Sequence, residues 1–205
     1  MSYEKGADKN TMRLWTTMSK TVYKDTIIKN GIYTCDTDKC NMLINDTEDK
    51  NFENAYNWLA DYMNYKIGKP SNANTKYPVW AWYKLRGKKS RPDLRWTEFK
   101  DYTEPMVLIE CEIEDNKVVL SDEVKWTVSA LNNLPFCISD EELEWYYNNT
   151  ISKKDKELFK HSSWLRVFDI SESEYIQATF WELRKDNIIK IWEFKIRIKH
   201  TGRRW

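Results

Sequence analysis

Glycine is scarce in this chain, with five among 205 residues. A phosphate-binding loop needs glycines at fixed spacing so that backbone N–H groups can approach the anion. No such spacing occurs, which excludes the Walker and Rossmann fingerprints. Histidine is scarcer still, with two (His161 and His200). The four cysteines, Cys35, Cys40, Cys111 and Cys137, form no C-x-x-C pair, and Cys35-Asp-Thr-Asp-Lys-Cys40 has no second ligand pair downstream, so no metal site assembles. No apolar run approaches the roughly 18 residues of a spanning helix, and no signal-peptide pattern opens the sequence. Charge of one sign is also lacking. Against 33 Lys and Arg stand 32 Asp and Glu, a net +1, so no global field draws the chain to nucleic acid or a membrane. These absences lead us to expect a cytoplasmic protein with reduced thiols.

Tryptophan, by contrast, is abundant, with eleven residues where a chain of this length ordinarily carries roughly two to four. Each brings a large apolar body and one N–H that wants an acceptor, which suits cores and stacking sites alike. Abundant lysine and asparagine fit an AT-rich bacterial or phage genome. The length allows one domain with a sizeable core. We expect residues 1–10 to be a polar, flexible tail and residues 11–205 a single domain.

Arg13 to Thr17 reads as a first short strand. Ser19 opens a helix with Val22, Tyr23, Ile27 and Ile28 on one side, closed by Asn30-Gly31. A loop follows to about residue 50. Phe52, Ala55, Tyr56, Leu59 and Met63 form one apolar stripe of a helix over 52–65. Strands are expected at 79–85, 106–113, 118–120, 175–183 and 189–199. The last strand alternates, with Trp192, Phe194, Ile196 and Ile198 inward. Ser121-Asp122 caps a short helix through Trp126 and Leu131, the capping box Ser139-Asp-Glu-Glu142 opens another through Trp145 and Tyr147, and a further helical stretch spans roughly Lys154 to Phe168. This order has no βαβ series and no repeat. It implies an α+β fold with a curved, mainly antiparallel sheet flanked by helices.

Three stretches carry possible chemistry. In Tyr77-Pro-Val-Trp-Ala-Trp-Tyr83, alternation sends Val79, Ala81 and Tyr83 to the core side and Trp80 and Trp82 to the other, where they are either covered by a helix or line a cleft. The basic turn behind it, Arg86 to Arg91, reads as a solvated turn, or the whole loop from Lys84 to Arg95 grips nucleic acid, and Asp93 and Arg95 offer a guanidinium fork for an anion. Glu110 and Glu112 share a strand face, as an acid/base pair or as edge carboxylates. In Gln177-Ala-Thr-Phe-Trp-Glu182, a regular strand would put Glu182 on the apolar face with Ala178 and Phe180, where an unpaired charge is costly.

Together Leu14-Trp-Thr16, the Pro78-Val-Trp-Ala-Trp-Tyr83 block, Arg91-Pro-Asp-Leu-Arg95, Leu108–Ile113 and Gln177–Glu182 resemble a bacterial family known only as a domain of unknown function. Its members open with Leu-Trp-Thr-Ile-Gln; this chain reads Thr17-Met18 after the shared start. More distantly the layout resembles the ADP-ribosyltransferase superfamily, including its DNA-modifying toxin and RNA 2′-phosphotransferase branches. That resemblance implies an ADP-ribosyltransferase-like fold that binds NAD as co-substrate and transfers ADP-ribose to a protein or nucleic-acid target. It implies Glu182 as the carboxylate on the nicotinamide ribose, with Gln177 as its motif partner. The NAD-binding residues would be Arg13, Trp15, Thr16, Trp80, Trp82, Tyr83 and Arg95. The chain departs from that superfamily in carrying Trp15 where Arg or His is usual, and in placing Gln177 five residues before Glu182 rather than two. The alternative expectation is a non-catalytic binding or inhibitor module acting through a tryptophan-rich surface.

Overall fold

Alternation of side chains along Thr11–Ser19 (β1) sets the architecture. Leu14 and Met18 are buried on one face, while Arg13, Trp15 and Thr17 point to the other. In the computed structural model, which describes residues 10–36, 50–100, 102 and 104–195, this strand lies inside a six-stranded sheet. The others are β4 (Val79–Lys84), β5 (Met106–Glu114), β6 (Val119–Asp122), β7 (Ile176–Phe180) and β9 (Ile188–Phe194). The order is β6-β7-β4-β1-β5-β9, and every pairing is antiparallel. Three shorter strands, β2 (Ile32–Asp36), β3 (Thr75–Tyr77) and β8 (Glu182–Arg184), form a second sheet in the order β3-β2-β8. The fold is therefore α+β, as the sequence implies.

Each face of the large sheet has its own core. On the first, Leu14, Val79, Ala81, Val107, Ile109, Ala178 and Phe180 pack with Ile27 and with Leu183 of β8, and Tyr33 of β2 lies against them. Ile27 belongs to the turn after β1, where Ser19 accepts a hydrogen bond from the Thr21 N–H and opens α1 (Lys20–Tyr23). The helix then widens to π-helical over Lys24–Ile28 and ends at Gly31, whose φ of 76° suits a residue without Cβ. On the second face, Ala55, Leu59, Ala60 and Met63 of α2 (Lys50–Ile67) pack with Val119, Trp126, Trp164 and Trp181. The apolar stripe expected in 52–65 is the buried side of α2. Trp126 lies in α3 (Glu123–Trp126), capped by the Asp122 side chain, which accepts from the Lys125 N–H, and followed by a π-helical segment, Thr127–Leu131. Two further helices, α4 (Asp140–Tyr147) and α5 (Lys153–Ser163), start at Ser139 and Ser152, and a 3-10 turn, Trp164–Phe168, closes the helical run.

The structure corrects four expectations. Ile32–Asp36 is a strand rather than loop, and Thr75–Tyr77 is a further strand that no alternation announces. β5 is interior, paired to β1 and β9, so Glu110 and Glu112 are not edge carboxylates. The run from Tyr175 to Leu183 is not one strand: it bends at Trp181, leaving the large sheet as β7 and entering the small one as β8. The bend shifts the alternation, so Leu183 joins Ala178 and Phe180 in the first core and Glu182 does not. Residues 1–9, Cys40, Ile196, Ile198 and His200 lie outside the described residues. Among the described residues no helix is long and apolar enough to cross a membrane. No group of three or more His, Cys, Asp or Glu among them could hold a metal.

Candidate functional site

Antiparallel register builds a row of side chains across the second face of the large sheet. Cα partners run Ser121, Gln177, Trp82, Trp15, Glu110 and Lys190, one from each strand from β6 to β9. Because directly paired residues share a face, all six side chains stand on the same side. Trp80 and Thr179, two residues along β4 and β7, form the next step of the ladder.

Helices α2 and α3 cover this face only in part. Between them and the sheet lies a cleft of about 510 Å³, within the usual size range of small-molecule sites. Its lining includes eight aromatic side chains: Trp15, Tyr33, Phe52, Tyr56, Trp80, Trp82, Tyr102 and Trp126. Glu123, Thr127 and Leu131 come from α3 and the π-helical segment after it, and Thr17 and Gln177 from the sheet. π-helical turns are rare and often mark functional sites. Tyr56, Trp80 and Trp126 meet with centroids 5.5–6.0 Å apart, inclined by 49–75°. The Thr127 hydroxyl donates to Glu123 Oε1 at 3.0 Å, and Thr17 Oγ1 and Tyr102 Oη share a hydrogen bond of 2.7 Å. The two readings of Trp80 and Trp82 are thus both realised: a helix covers the face, and a cleft remains.

Polar atoms without partners mark this face. Trp15 Nε1, Trp80 Nε1, Gln177 Oε1 and Ser121 Oγ are buried and make no hydrogen bond. Native interiors pair nearly all such groups, and each one left unpaired costs about 1–3 kcal/mol. Ser121 is fully buried and is absent from the cleft lining, so its hydroxyl is a pure penalty. Ser121→Ala is therefore expected to raise the unfolding free energy by about 1 kcal/mol in a urea titration. A loss of stability instead would show that the hydroxyl has a partner.

The structure brings together Trp15, Thr16, Trp80, Trp82 and Gln177. Thr16 also donates its hydroxyl to the Trp80 carbonyl at 2.7 Å, tying β1 to β4. The other residues of the expected site lie elsewhere. Arg13 shares the Trp15 face but is held by Glu112 at 3.1 Å and Glu110 at 3.5 Å, which makes the two carboxylates an ion-pair cluster. Tyr83 packs against the first core, with the Lys89 ammonium 4.2 Å from its ring centroid. Arg95 folds back on Asp93 through both Nε and the terminal nitrogen. That contact holds the Asp93 carboxyl at about 2, so the fork offered to an anion is already filled from within. The basic turn is similarly engaged: Arg86 grips Glu98 at 2.9 Å, and Arg91 lies over Trp192.

Glu182 lines a second cavity of about 380 Å³ with Ser71, Lys69, Lys117, Arg184 and Trp181, sharing no residue with the tryptophan cleft. Ser71 Oγ donates to Glu182 Oε2 and Arg184 Nε to Oε1, both at 2.6 Å. Burial pushes the Glu182 carboxyl upward, but these two donors outweigh it and hold the group below the usual carboxylate range. It is therefore ionised at neutral pH.

Sequence reasoning missed Tyr56, Trp126 and Glu123. Tyr56 was visible only as part of a core stripe, and Glu123 only as the residue after a cap. A family model described as a domain of unknown function (DUF3841) matches residues 13–189. No curated protein and no solved structure matches the chain.

Proposed function

As the chain belongs to the DUF3841 family, whose description assigns no activity, its function has to be read from its own residues, and we propose that it binds a small ligand through a planar heterocyclic head in the tryptophan cleft. The observation that carries this is the meeting of stacking surfaces with unpartnered Trp15 Nε1, Trp80 Nε1 and Gln177 Oε1 in one cavity wall. Aromatic walls with a few convergent polar groups are the usual make-up of a small-molecule site. A heterocycle with its own donors and acceptors can offset the unpaired groups once it separates the rings that shield them.

NAD is the first ligand to test, because the motif order resembles that of ADP-ribosyltransferases. In that form of the proposal the nicotinamide ring enters the cleft and Glu182 serves the transfer of ADP-ribose to a macromolecule. An ionised Glu182 suits stabilisation of a positive oxocarbenium-like centre, and its lowered pKa supports that role. The test has two arms. Titration with NAD is expected to change tryptophan fluorescence, and labelled NAD in a lysate is expected to mark protein or nucleic acid. Glu182→Ala should abolish the label and leave the fluorescence change in place. The absence of both binding and label would overturn the proposal.

One observation favours a second reading, a non-catalytic binding module using the same surface: Glu182 and the cleft share no lining residue. That reading expects a complex that survives Glu182→Ala but is lost in Trp82→Leu, whose ring packs on no other ring among the described residues, whereas Trp80 also packs on Tyr56 and Trp126.

A further inference from the structure

The charge of the tryptophan cleft is as informative as its rings. Lys and Arg make up 33 of the chain's 205 residues, yet no basic side chain lines the cleft among the described residues, and its one carboxylate is Glu123. The second cavity differs, with Lys69, Lys117 and Arg184 in its wall beside Glu114 and Glu182. Among the described residues, a phosphate in the cleft would face a carboxylate and ring faces with no counter-charge.

Ring faces carry the negative part of the aromatic quadrupole and attract cations. Tyr56, Trp80 and Trp126 line the cleft and are inclined to one another by 49–75°, so they do not form one stack. Trp82 is half-buried and has no ring partner among the described residues, which leaves its face uncommitted to other rings. One Glu123 oxygen already accepts from Thr127, and beside acceptors such as Gln177 Oε1 the lining carries eight aromatic side chains, so ring faces are a large part of what a cation meets there. The cleft suits a cation whose charge is diffuse.

Granting that the cleft is a ligand site, as proposed above, we infer that it selects a cationic head whose nitrogen is fully alkylated or aromatic and carries no N–H, a quaternary ammonium or an N-alkylpyridinium. Ring faces supply the attraction and Glu123 supplies the counter-charge. Any phosphate on such a ligand lies outside the cleft.

Calorimetric titration with matched pairs tests this. Choline is compared with its neutral isostere in which carbon replaces nitrogen, and nicotinamide methylated on its ring nitrogen is compared with nicotinamide. At least one cation is expected to bind about tenfold or more tightly than its neutral partner, and whichever cation wins tells an aliphatic ammonium from a pyridinium ligand. Glu123→Gln should weaken the cation several-fold and leave the neutral isostere unchanged. If each neutral compound binds as well as its cation, charge selection is wrong while the cleft stands as a site. If NAD perturbs the tryptophans but neither cation binds, the inference also falls alone. If nothing binds, including NAD, it falls together with the proposed function.

Discussion

Trp164→Ala is expected to lower the unfolding free energy by about 3–5 kcal/mol, the range for truncating a large buried aromatic side chain. Trp164 is wholly buried, the bulkiest of the fully buried side chains among the described residues. It stands where α5 hands over to the 3-10 turn. Its ring meets Trp58 of α2 edge-on at 5.4 Å and lies 4.7 Å from the His161 ring, so it joins α5 to α2. Its indole N–H donates to the Leu134 carbonyl at 2.7 Å, which also pins the segment before α4. Alanine would leave a cavity that these helices cannot close without moving, and a carbonyl without its donor. Because small domains are stable by only about 5–15 kcal/mol, the variant would sit near its folding threshold. Trp164→Phe, which keeps a ring and loses the hydrogen bond, should fall between it and the parent. Urea titration decides the matter, and a loss below about 1 kcal/mol for alanine would show that the helical layer does not depend on this contact.

The elements legible in the sequence are those whose pattern is local. The stripe from Phe52 to Met63 is a helix because its buried side repeats at helical spacing, β4 alternates buried and half-buried residues from Val79 to Trp82, and β5 is legible as a short apolar run because both of its faces are covered. Ile32–Asp36 was illegible because Tyr-Thr-Cys-Asp has no clear apolar alternation; its strand state comes from partners at residues 75–77 and 182–184. The bend at Trp181 was equally hidden, since the run from Ile176 to Leu183 reads as continuous strand. Trp181 turns into the second core and donates its N–H to the Gly68 carbonyl at 2.7 Å, a contact 113 residues away. The site was half legible for the same reason. Alternation put Trp80 and Trp82 together on one face, but their meeting with Trp15 and Gln177 depends on the strand order β7-β4-β1. Arg95 misled because residue type alone cannot show that Asp93 fills its guanidinium fork.

That strand order also picks out the residue whose loss should most affect binding. Trp82→Leu is expected to weaken any ligand of the cleft about tenfold or more, since stacking or cation–π contact with one indole contributes about 1–2 kcal/mol. Trp82 is held from both sides, by the Trp15 pairing on β1 and the Gln177 pairing on β7, so its backbone position does not depend on the ring. The ring itself is half-buried and contacts no other ring among the described residues. Leucine keeps an apolar, strand-compatible side chain there, and the melting temperature should move by only a few degrees. Trp80 makes the contrast: its ring packs on Tyr56 and Trp126, so Trp80→Leu should lose stability as well as binding and cannot separate the two. Fluorescence or calorimetric titration of Trp82→Leu beside a thermal melt measures both quantities. Unchanged affinity would mean that the ligand does not lie against β4. A melt as damaged as that of Trp80→Leu would mean that Trp82 is a packing residue and the cleft a gap in the core.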